Sequence, residues 1–173
     1  SSVSVAFVGC ISFIGLIAPH IMRRFVGNGA HNQIRLSVPE GVDPLPVLET
    51  YLGYYPTHCR IKTRPYDGIL DALAEIKQQF TVAVVSNKPD QAVKSLCKEH
   101  FGQVFALGES SACPRKPAPD MVYQALKTIG ADSCIYVGDS EVDVLTAQNA
   151  GVPCLSVLWG FRDKDVLVES GAK

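Results

Sequence analysis

Two aspartates follow a short apolar run that favours a β-strand. The run, residues 134–137, ends at Gly138, and Asp139 and Asp143 stand one and five residues after that glycine. Glycine permits a sharp exit from a strand, and open α/β sheets bind ligands at the carboxyl ends of their strands. If the chain turns helical here, residues four apart face the same side, and paired carboxylates suit Mg²⁺. The alternative is a helix whose first turn carries acids because the helix dipole favours them there.

Two further groups could bind an anion. Ser86 and Asn87 follow the continuous β-branched run 81–85 and precede a predicted helix, so they form either an anion site at a strand end or a simple N-cap. Lys116 stands in a loop stiffened by three prolines, which could aim its ammonium group at a fixed anion. An isolated lysine in a proline-rich turn is more often only solvated.

The elements that position these groups alternate along the chain. From about residue 66, apolar periodicity predicts the order α β α β α β α β. Run 81–85 consists of Thr81 followed by four apolar residues, which is typical of a strand buried on both faces of a parallel sheet. The sequence therefore predicts an α/β fold with a doubly wound, mostly parallel sheet.

Composition narrows the function classes. The chain has 173 residues and a net charge of −1, which allows one domain with a real core and gives no indication of nucleic-acid binding. Its six cysteines form no CxxC pair and no regular spacing, so a zinc site or disulfide framework is not expected. A reducing compartment fits this pattern, and we expect a cytoplasmic protein.

The first 36 residues differ in character from the rest. Residues 1–22 carry no charged side chain, and Arg23 and Arg24 follow them. Such a run is a transmembrane candidate, although Pro19 and two glycines argue against it, and the alternative is a buried strand and helix of a soluble domain. The chain begins at Ser1 and not at methionine, as expected of a fragment or a processed product.

A resemblance lies within this segment. Residues 9–27, GCISFIGLIAPHIMRRFVG, look like a signature of ABC-transporter permeases for iron-siderophores and vitamin B12, with Cys10 where that family usually has proline. The resemblance covers only residues 1–31, about thirty residues of a many-helix protein. It therefore implies no transport function for this chain.

The remainder of the chain resembles a different family. Three elements occur in a fixed order: Ser86-Asn87-Lys88, Lys116-Pro117, and Gly138-Asp139 with Asp143. Together they resemble the haloacid dehalogenase (HAD) superfamily, and within it the phosphoglycolate phosphatase group. The resemblance covers residues 38–173 and extends to several flanking stretches, namely Tyr66-Asp67-Gly68, the run from Tyr136 through Ala150-Gly151-Val152-Pro153, and Trp159-Gly160-Phe161-Arg162.

This resemblance implies a role for each group. Ser86 would hydrogen-bond a phosphoryl oxygen, with Asn87 beside it, and Lys116 would neutralise phosphate charge and steady the nucleophile. Asp139 would bind Mg²⁺, and Asp143 would support that metal site. The implied substrate is a small phosphorylated metabolite. In phosphoryl transfer a protein acts mainly by positioning the reacting groups and by stabilising charge, and the implied roles are of this kind.

One part of the family pattern is missing. The nucleophile and the acid/base of the family are the aspartates of an N-terminal DxDGT motif on the first strand, but no Asp-x-Asp occurs before residue 66. That strand normally lies in the sheet centre, and its loss would leave two inner edges unpaired. We expect Val3 to Gly9 to pair there as a substitute, which would bring Cys10 or Ser12 near the phosphate. Cys10 is a candidate substitute nucleophile, although buried cysteines are more often inert.

These observations give three segments and three interpretations. The segments are residues 1–36, permease-like; 37–64, a remnant of a helical cap with a linker; and 65–173, a HAD-like core. The favoured interpretation is a phosphatase that is impaired because the nucleophile motif is absent. The alternatives are a catalytically inactive fusion remnant that binds phosphate or a partner, and a membrane-anchored HAD-like domain.

Overall fold

The structure is a computed structural model that describes residues 3–7, 11–12, 43, 45–61 and 63–172. It divides the chain into two compact units, Ser1–Ser12 with Arg64–Lys173, and Phe13–Thr63. The earliest residues of the chain belong to the same unit as the core. The reason is strand pairing, since the earliest described residues enter the main sheet.

The larger unit contains a five-stranded sheet in the order β5-β4-β1-β6-β7 and a two-stranded sheet of β2 and β3. All described pairs in the larger sheet are parallel, as the alternating pattern predicted. The strands are β1 (Val3–Phe7), β2 (Ile11–Ser12), β3 (Arg64–Pro65), β4 (Val82–Pro89), β5 (Phe105–Glu109), β6 (Ser133–Gly138) and β7 (Cys154–Ser156). The helices of this unit are α2 (Ile69–Ile76), α3 (Asp90–Phe101), α4 (Asp120–Ile129), α5 (Glu141–Ala150) and α6 (Lys164–Glu169).

Strand β1 lies in the centre of the sheet. Val5 pairs with Val82 of β4, and Val3 pairs with Ser133 of β6. Val3–Phe7 thus occupies the position that the sequence analysis expected a substitute strand to fill. Val8 and Gly9, the last two residues of that expected strand, lie outside the described residues.

Helices cover both faces of the sheet, and the alternation of side chains along β4 separates two cores. Val82 and Val84 point to the face covered by α2 and α3, where Ile69, Leu73 and Val93 are buried. The opposite face of the same strand packs under α4 and α5, in a cluster of ten buried residues: Ala83, Val85, Leu107, Cys113, Met121, Val122, Ala125, Cys134, Tyr136 and Ala147. A strand buried on both faces explains the continuous apolar run predicted from sequence.

The second unit contains helix α1 (Leu45–His58). The rings of Tyr54 and His58 stack, with their centroids 3.4 Å apart. The Thr63 hydroxyl donates to the carbonyl of Cys59 at 2.5 Å, which stabilises the turn after the helix. Among the residues that the structure describes, no helix has the length and apolar character needed to cross a membrane.

Candidate functional site

The candidate site lies at the carboxyl ends of β4 and β6. Ser86 lies near the end of β4, and its hydroxyl oxygen accepts the backbone N–H of Lys88 at 3.3 Å. This is a local turn contact, so the hydroxyl hydrogen remains a donor. The sequence predicted that the strand ends before Ser86, whereas β4 continues to Pro89, so Ser86 lies within the last half of the strand that leads into helix α3.

Asn87 holds the loop that carries Lys116. Its amide oxygen accepts the Lys116 backbone N–H at 2.6 Å, and its amide nitrogen donates to the Lys116 carbonyl at 3.0 Å. From the other side, the Asn149 amide donates to the carbonyl of Pro117 at 2.9 Å. Asn87, predicted to bind phosphate, thus uses both ends of its amide on the backbone of the lysine loop.

Asp143 is the centre of a buried hydrogen-bond network. Its Oδ1 accepts the Lys116 ammonium at 2.6 Å and the Tyr136 hydroxyl at 3.3 Å. Its Oδ2 accepts the Ser140 hydroxyl at 2.6 Å and the Asp139 backbone N–H at 3.3 Å. A carboxylate has about four lone-pair sites, so the described residues occupy the full accepting capacity of Asp143.

Asp139 has fewer partners. Its Oδ2 accepts the backbone N–H of Phe161 at 3.0 Å, and its backbone carbonyl accepts the N–H of Arg162 at 3.1 Å. Within the described part of the chain, its Oδ1 accepts no hydrogen bond. The residue is 8% exposed, so its carboxylate is largely shielded from the water that would solvate its charge.

Each aspartate packs against a glycine that allows close approach. A Cβ on Gly138 would lie 2.2 Å from the Cβ of Asp143, and a Cβ on Gly160 would lie 2.2 Å from the Cβ of Asp139. Atoms of real side chains do not approach this closely, so a side chain at either position would force its surroundings to shift. Gly160 thereby allows the loop after β7 to wrap directly over Asp139.

The pKa values of the two aspartates are shifted in opposite directions. Burial, and secondarily the charge of Asp143, raises the pKa of Asp139 to about 6. Burial alone would also raise the pKa of Asp143, but the Lys116 ion pair and the Ser140 hydrogen bond hold it below its ordinary value. Asp143 is thus a stabilised anion, whereas the negative charge of Asp139 is poorly compensated.

A further ion pair borders the site. Arg162, in the loop after β7, donates through Nε and Nη2 to the two carboxylate oxygens of Glu141 at 2.6 and 2.5 Å. This pair raises the pKa of Arg162, and it lowers the pKa of Glu141 although burial opposes that shift. Glu141 is the first residue of α5, so the pair joins that helix to the loop that contacts Asp139.

The site chemistry admits a cation at Asp139. A hard cation takes oxygen ligands, and Asp139 offers a largely buried carboxylate whose charge Lys116 and backbone N–H groups compensate only in part. Asp143, predicted to support the metal, has its oxygens engaged by donors, so its support is indirect. No group of three or more acidic, histidine or cysteine residues that could bind a metal occurs among the described residues, so Asp139 would need further ligands.

Hydrogen bonds join four of the predicted residues, and the described Ser86 hydroxyl contact, with the Lys88 amide, lies apart from them. The side chain of Asn87 binds the backbone of Lys116, the Lys116 ammonium binds Asp143, and Asp143 accepts the amide of Asp139. Cys10 lies outside the described residues, as does the permease-like segment 9–27 apart from Ile11–Ser12.

Four contributing residues were not predicted as site residues. Ser140 and Tyr136 donate to Asp143, while Gly160 and Phe161 contact Asp139. Ser140 stands between the two aspartates in sequence, which was an available signal. Phe161 and Gly160 belong to the stretch 159–162 that carried the family resemblance, but their contact with Asp139 spans more than twenty residues and has no local signal.

Comparison with known proteins identifies the family. The family model described as haloacid dehalogenase-like hydrolase matches residues 10–157, and the chain belongs to this family. The match begins at residue 10, inside the segment that was predicted from sequence to be permease-like. The fold and the order of the strand-end residues agree with this assignment.

Relatives and solved structures refine the comparison. A phosphoglycolate phosphatase of Mesorhizobium japonicum is 30% identical over 158 residues, which cover 83% of this chain and 69% of the relative. A crystal structure from Lactobacillus delbrueckii subsp. bulgaricus, described as a phosphoglycolate phosphatase, is 44% identical with a TM-score of 0.72, covering 79% of this chain and 61% of that one. A haloacid dehalogenase-like hydrolase of Streptococcus pneumoniae has a TM-score of 0.82 at 18% identity, covering 99% and 92%, and shows the fold alone.

Proposed function

We propose that this chain is a phosphatase that hydrolyses a small phosphomonoester of the 2-phosphoglycolate type, with Mg²⁺ bound at Asp139. The observation that carries the proposal is the buried network in which Asn87, Lys116, Asp143 and Asp139 are linked at the strand ends. The relatives named above support the substrate class. Because the chain spans 61% to 69% of the length of the two phosphatases, their activity is a proposal for it.

Ser86 and Lys116 would bind the phosphoryl group. The hydroxyl of Ser86 keeps its hydrogen for a phosphoryl oxygen, because its contact with Lys88 uses only a lone pair. An ammonium group has three N–H donors, and Asp143 takes one from Lys116. Its remaining donors could neutralise phosphate charge.

Asp139 would hold the metal, and Asp143 would hold Asp139. The backbone N–H of Asp139 and the hydroxyl of Ser140 both bind Asp143, which fixes the turn between β6 and α5. When bound, Mg²⁺ would neutralise charge on the phosphoryl oxygens. The remaining ligands would come from outside the described residues or from the phosphate and water.

The nucleophile motif of the family has no counterpart in the sequence before residue 66. No Asp-x-Asp occurs before residue 66, so we propose that activity is reduced by several orders of magnitude or absent. This observation also supports the second candidate function, an inactive remnant that binds phosphate or a partner. Cys10 remains a predicted substitute nucleophile.

Partners and location follow from the same interpretation. We propose a small phosphorylated metabolite as the ligand, no nucleic acid, and a cytoplasmic location. The low net charge and the irregular cysteine spacing support these choices. The membrane-anchored alternative depends on residues 1–22, most of which lie outside the described residues.

The test is Mg²⁺-dependent hydrolysis of 2-phosphoglycolate and of p-nitrophenyl phosphate by the full chain. Asp139→Asn is the site variant, because an amide oxygen can still accept the Phe161 N–H while the carboxylate charge is lost. Asp132→Asn changes an exposed aspartate next to β6 and is the matched control. We expect slow turnover in the wild type and in Asp132→Asn, and none in Asp139→Asn.

The result separates the two candidate functions. Equal rates in the wild type and Asp139→Asn, with or without Mg²⁺, would exclude the phosphatase. Titration with inorganic phosphate by calorimetry would then test the remnant, with Ser86→Ala as its binding variant. If turnover is present, Cys10→Ser tests the substitute nucleophile.

A further inference from the structure

We propose that the Glu141–Arg162 ion pair positions Asp139 for its cation. The proposal rests on the proposed function, because it assumes that Asp139 binds Mg²⁺. Neither Glu141 nor Arg162 is assigned a role in metal or phosphate binding above. Both act through the loop after β7 and not by contact with a ligand.

The loop contacts Asp139 at three points. Phe161 donates its backbone N–H to Oδ2 of Asp139, and Arg162 donates its backbone N–H to the carbonyl of Asp139. Gly160 packs so closely on the Asp139 side chain that a Cβ there would clash. These contacts restrain the Asp139 side chain and engage its Oδ2, while no described hydrogen bond from the loop reaches Oδ1.

The ion pair anchors this loop to helix α5. Arg162 makes two parallel N–H···O bonds to Glu141, and the two side chains are 13% and 26% exposed. The guanidinium also lies over the Phe161 ring, 4.6 Å from its centroid. Glu141 stands two residues after Asp139, so the loop is tied to both ends of the turn that carries the proposed metal ligand.

The bidentate geometry is the specific element. A guanidinium presents two donors in a fixed fork, whereas a lysine ammonium is a point charge on a flexible stem. Arg162→Lys therefore keeps the charge near Asp139 and removes the fork. This separates positioning from simple electrostatics.

The two explanations predict opposite results for Arg162→Ala. If Arg162 acted only through its charge, removing a cation near Asp139 would strengthen Mg²⁺ binding. If it positions the loop, removing it would weaken binding. Glu141→Gln weakens binding under either explanation, so the arginine variants are decisive.

The binding test uses the chain's single tryptophan. Trp159 is 56% exposed and directly precedes Gly160, so its fluorescence reports on the loop. The full-length chain is titrated with MgCl₂ in the wild type, Arg162→Lys and Arg162→Ala. Since removing a group that orients a metal ligand typically costs 10–100-fold in affinity, we expect the Mg²⁺ dissociation constant to rise about tenfold or more in both variants.

A matched control removes an ion pair away from the loop. Lys94 pairs with Asp90 on α3 at 2.6 Å, and its side chain is 57% exposed. Lys94→Met should leave the Mg²⁺ dissociation constant unchanged. A rise equal to that of Arg162→Lys would show that general destabilisation, and not positioning, weakens binding.

A second measurement requires no metal. Hydrogen exchange of the Phe161 and Arg162 amides, followed by two-dimensional NMR in EDTA, reports the two bonds to Asp139. We expect faster exchange at both amides in Arg162→Lys, while the Val157 amide, which donates to Gly138 at 2.9 Å, is unchanged.

The two measurements distinguish the possible failures. Unchanged amide exchange in Arg162→Lys overturns the positioning role, whatever the metal data show. Faster exchange with unaltered Mg²⁺ affinity overturns the link between the loop and the cation. A wild-type chain that shows no response to MgCl₂, by fluorescence or by calorimetry, contradicts the metal part of the proposed function and with it this inference.

Discussion

Asp139 and Asp143 stand four residues apart after the same strand, yet their surroundings differ in nearly every respect. Asp143 accepts four hydrogen bonds, one of them from a buried ammonium group, and its pKa lies below the ordinary value. Asp139 accepts one described hydrogen bond on its side chain, and its pKa is raised to about 6. Two carboxylates in one turn can thus differ in both their hydrogen bonding and their pKa. One stabilises the local structure, and the other is left available for a ligand.

The largest effect is expected for Asp143→Asn. The amide would leave the Lys116 ammonium, whose side chain is only 9% exposed, without a counter-charge, and its NH₂ group would face two hydrogen-bond donors. Removing one partner of a buried ion pair costs about 3–5 kcal/mol, so we expect a loss of that size in the free energy of unfolding. Urea denaturation at pH 7 measures it. Lys94→Met, which removes an ion pair whose lysine is 57% exposed, should cost no more than about 1 kcal/mol, and equal losses would contradict the central role of Asp143.

At Asp139, the same change to asparagine should increase the free energy of unfolding and not decrease it. With a folded-state pKa of about 6 against an ordinary 3.8, the folded chain binds this proton more tightly than the unfolded chain. That contribution to stability is complete below about pH 3.8 and is lost as the pH rises through 6. Above pH 6 the ionised side chain costs about 2–3 kcal/mol, at 1.36 kcal/mol for each pKa unit.

Asp139→Asn removes this cost. Without metal, in EDTA, we expect it to increase the free energy of unfolding by about 2–3 kcal/mol at pH 8 and to leave it nearly unchanged at pH 4. Denaturation at the two pH values is the measurement. A variant less stable than the wild type at pH 8 would mean that Asp139 is a structural residue like Asp143.

The smallest effects are expected at the two glycines that pack on the aspartates. Gly138→Ala and Gly160→Ala each place a methyl group 2.2 Å from an aspartate Cβ, and such overpacking costs about 1–3 kcal/mol. Gly138 should be the more costly site because β6 is paired on both sides, whereas Gly160 lies in a loop that can shift. Thermal denaturation measures both. Gly53→Ala is the matched control, since a Cβ there meets nothing within 4 Å, and a reversed order would weaken the view that the loop yields more easily.

Much of the fold was predictable because its signals are local. Residues 82–85 of the predicted strand are buried in β4, as expected of a strand covered on both faces. The central place of β1 followed from an argument about unpaired strand edges, which the register with β4 and β6 supports for Val3–Phe7. Periodicity and strand pairing are properties of short segments, so a single sequence carries them.

The site was predictable in its positions but not in its contacts. A spacing of four residues indicates that Asp139 and Asp143 share a turn, but it does not say which donors reach each carboxylate. The lysine that pairs with Asp143 is 27 residues away in sequence, and the amide that binds Asp139 is 22 residues away. Asn87 was predicted to bind phosphate, whereas its amide binds the backbone of Lys116. Such pairings depend on how the loops meet after folding.

The central position of β1 also bears on how the chain folds during synthesis. Val3 pairs with Ser133, so β1 leaves the ribosome long before the strand on its other side exists. At translation rates of about 5–20 residues per second, the delay is on the order of ten seconds, during which an apolar strand lacks one of its partners. Non-local pairing of this kind slows folding and favours aggregation of unfinished chains. The yield of soluble protein should therefore depend on chaperones that shield this first strand until β6 has been made.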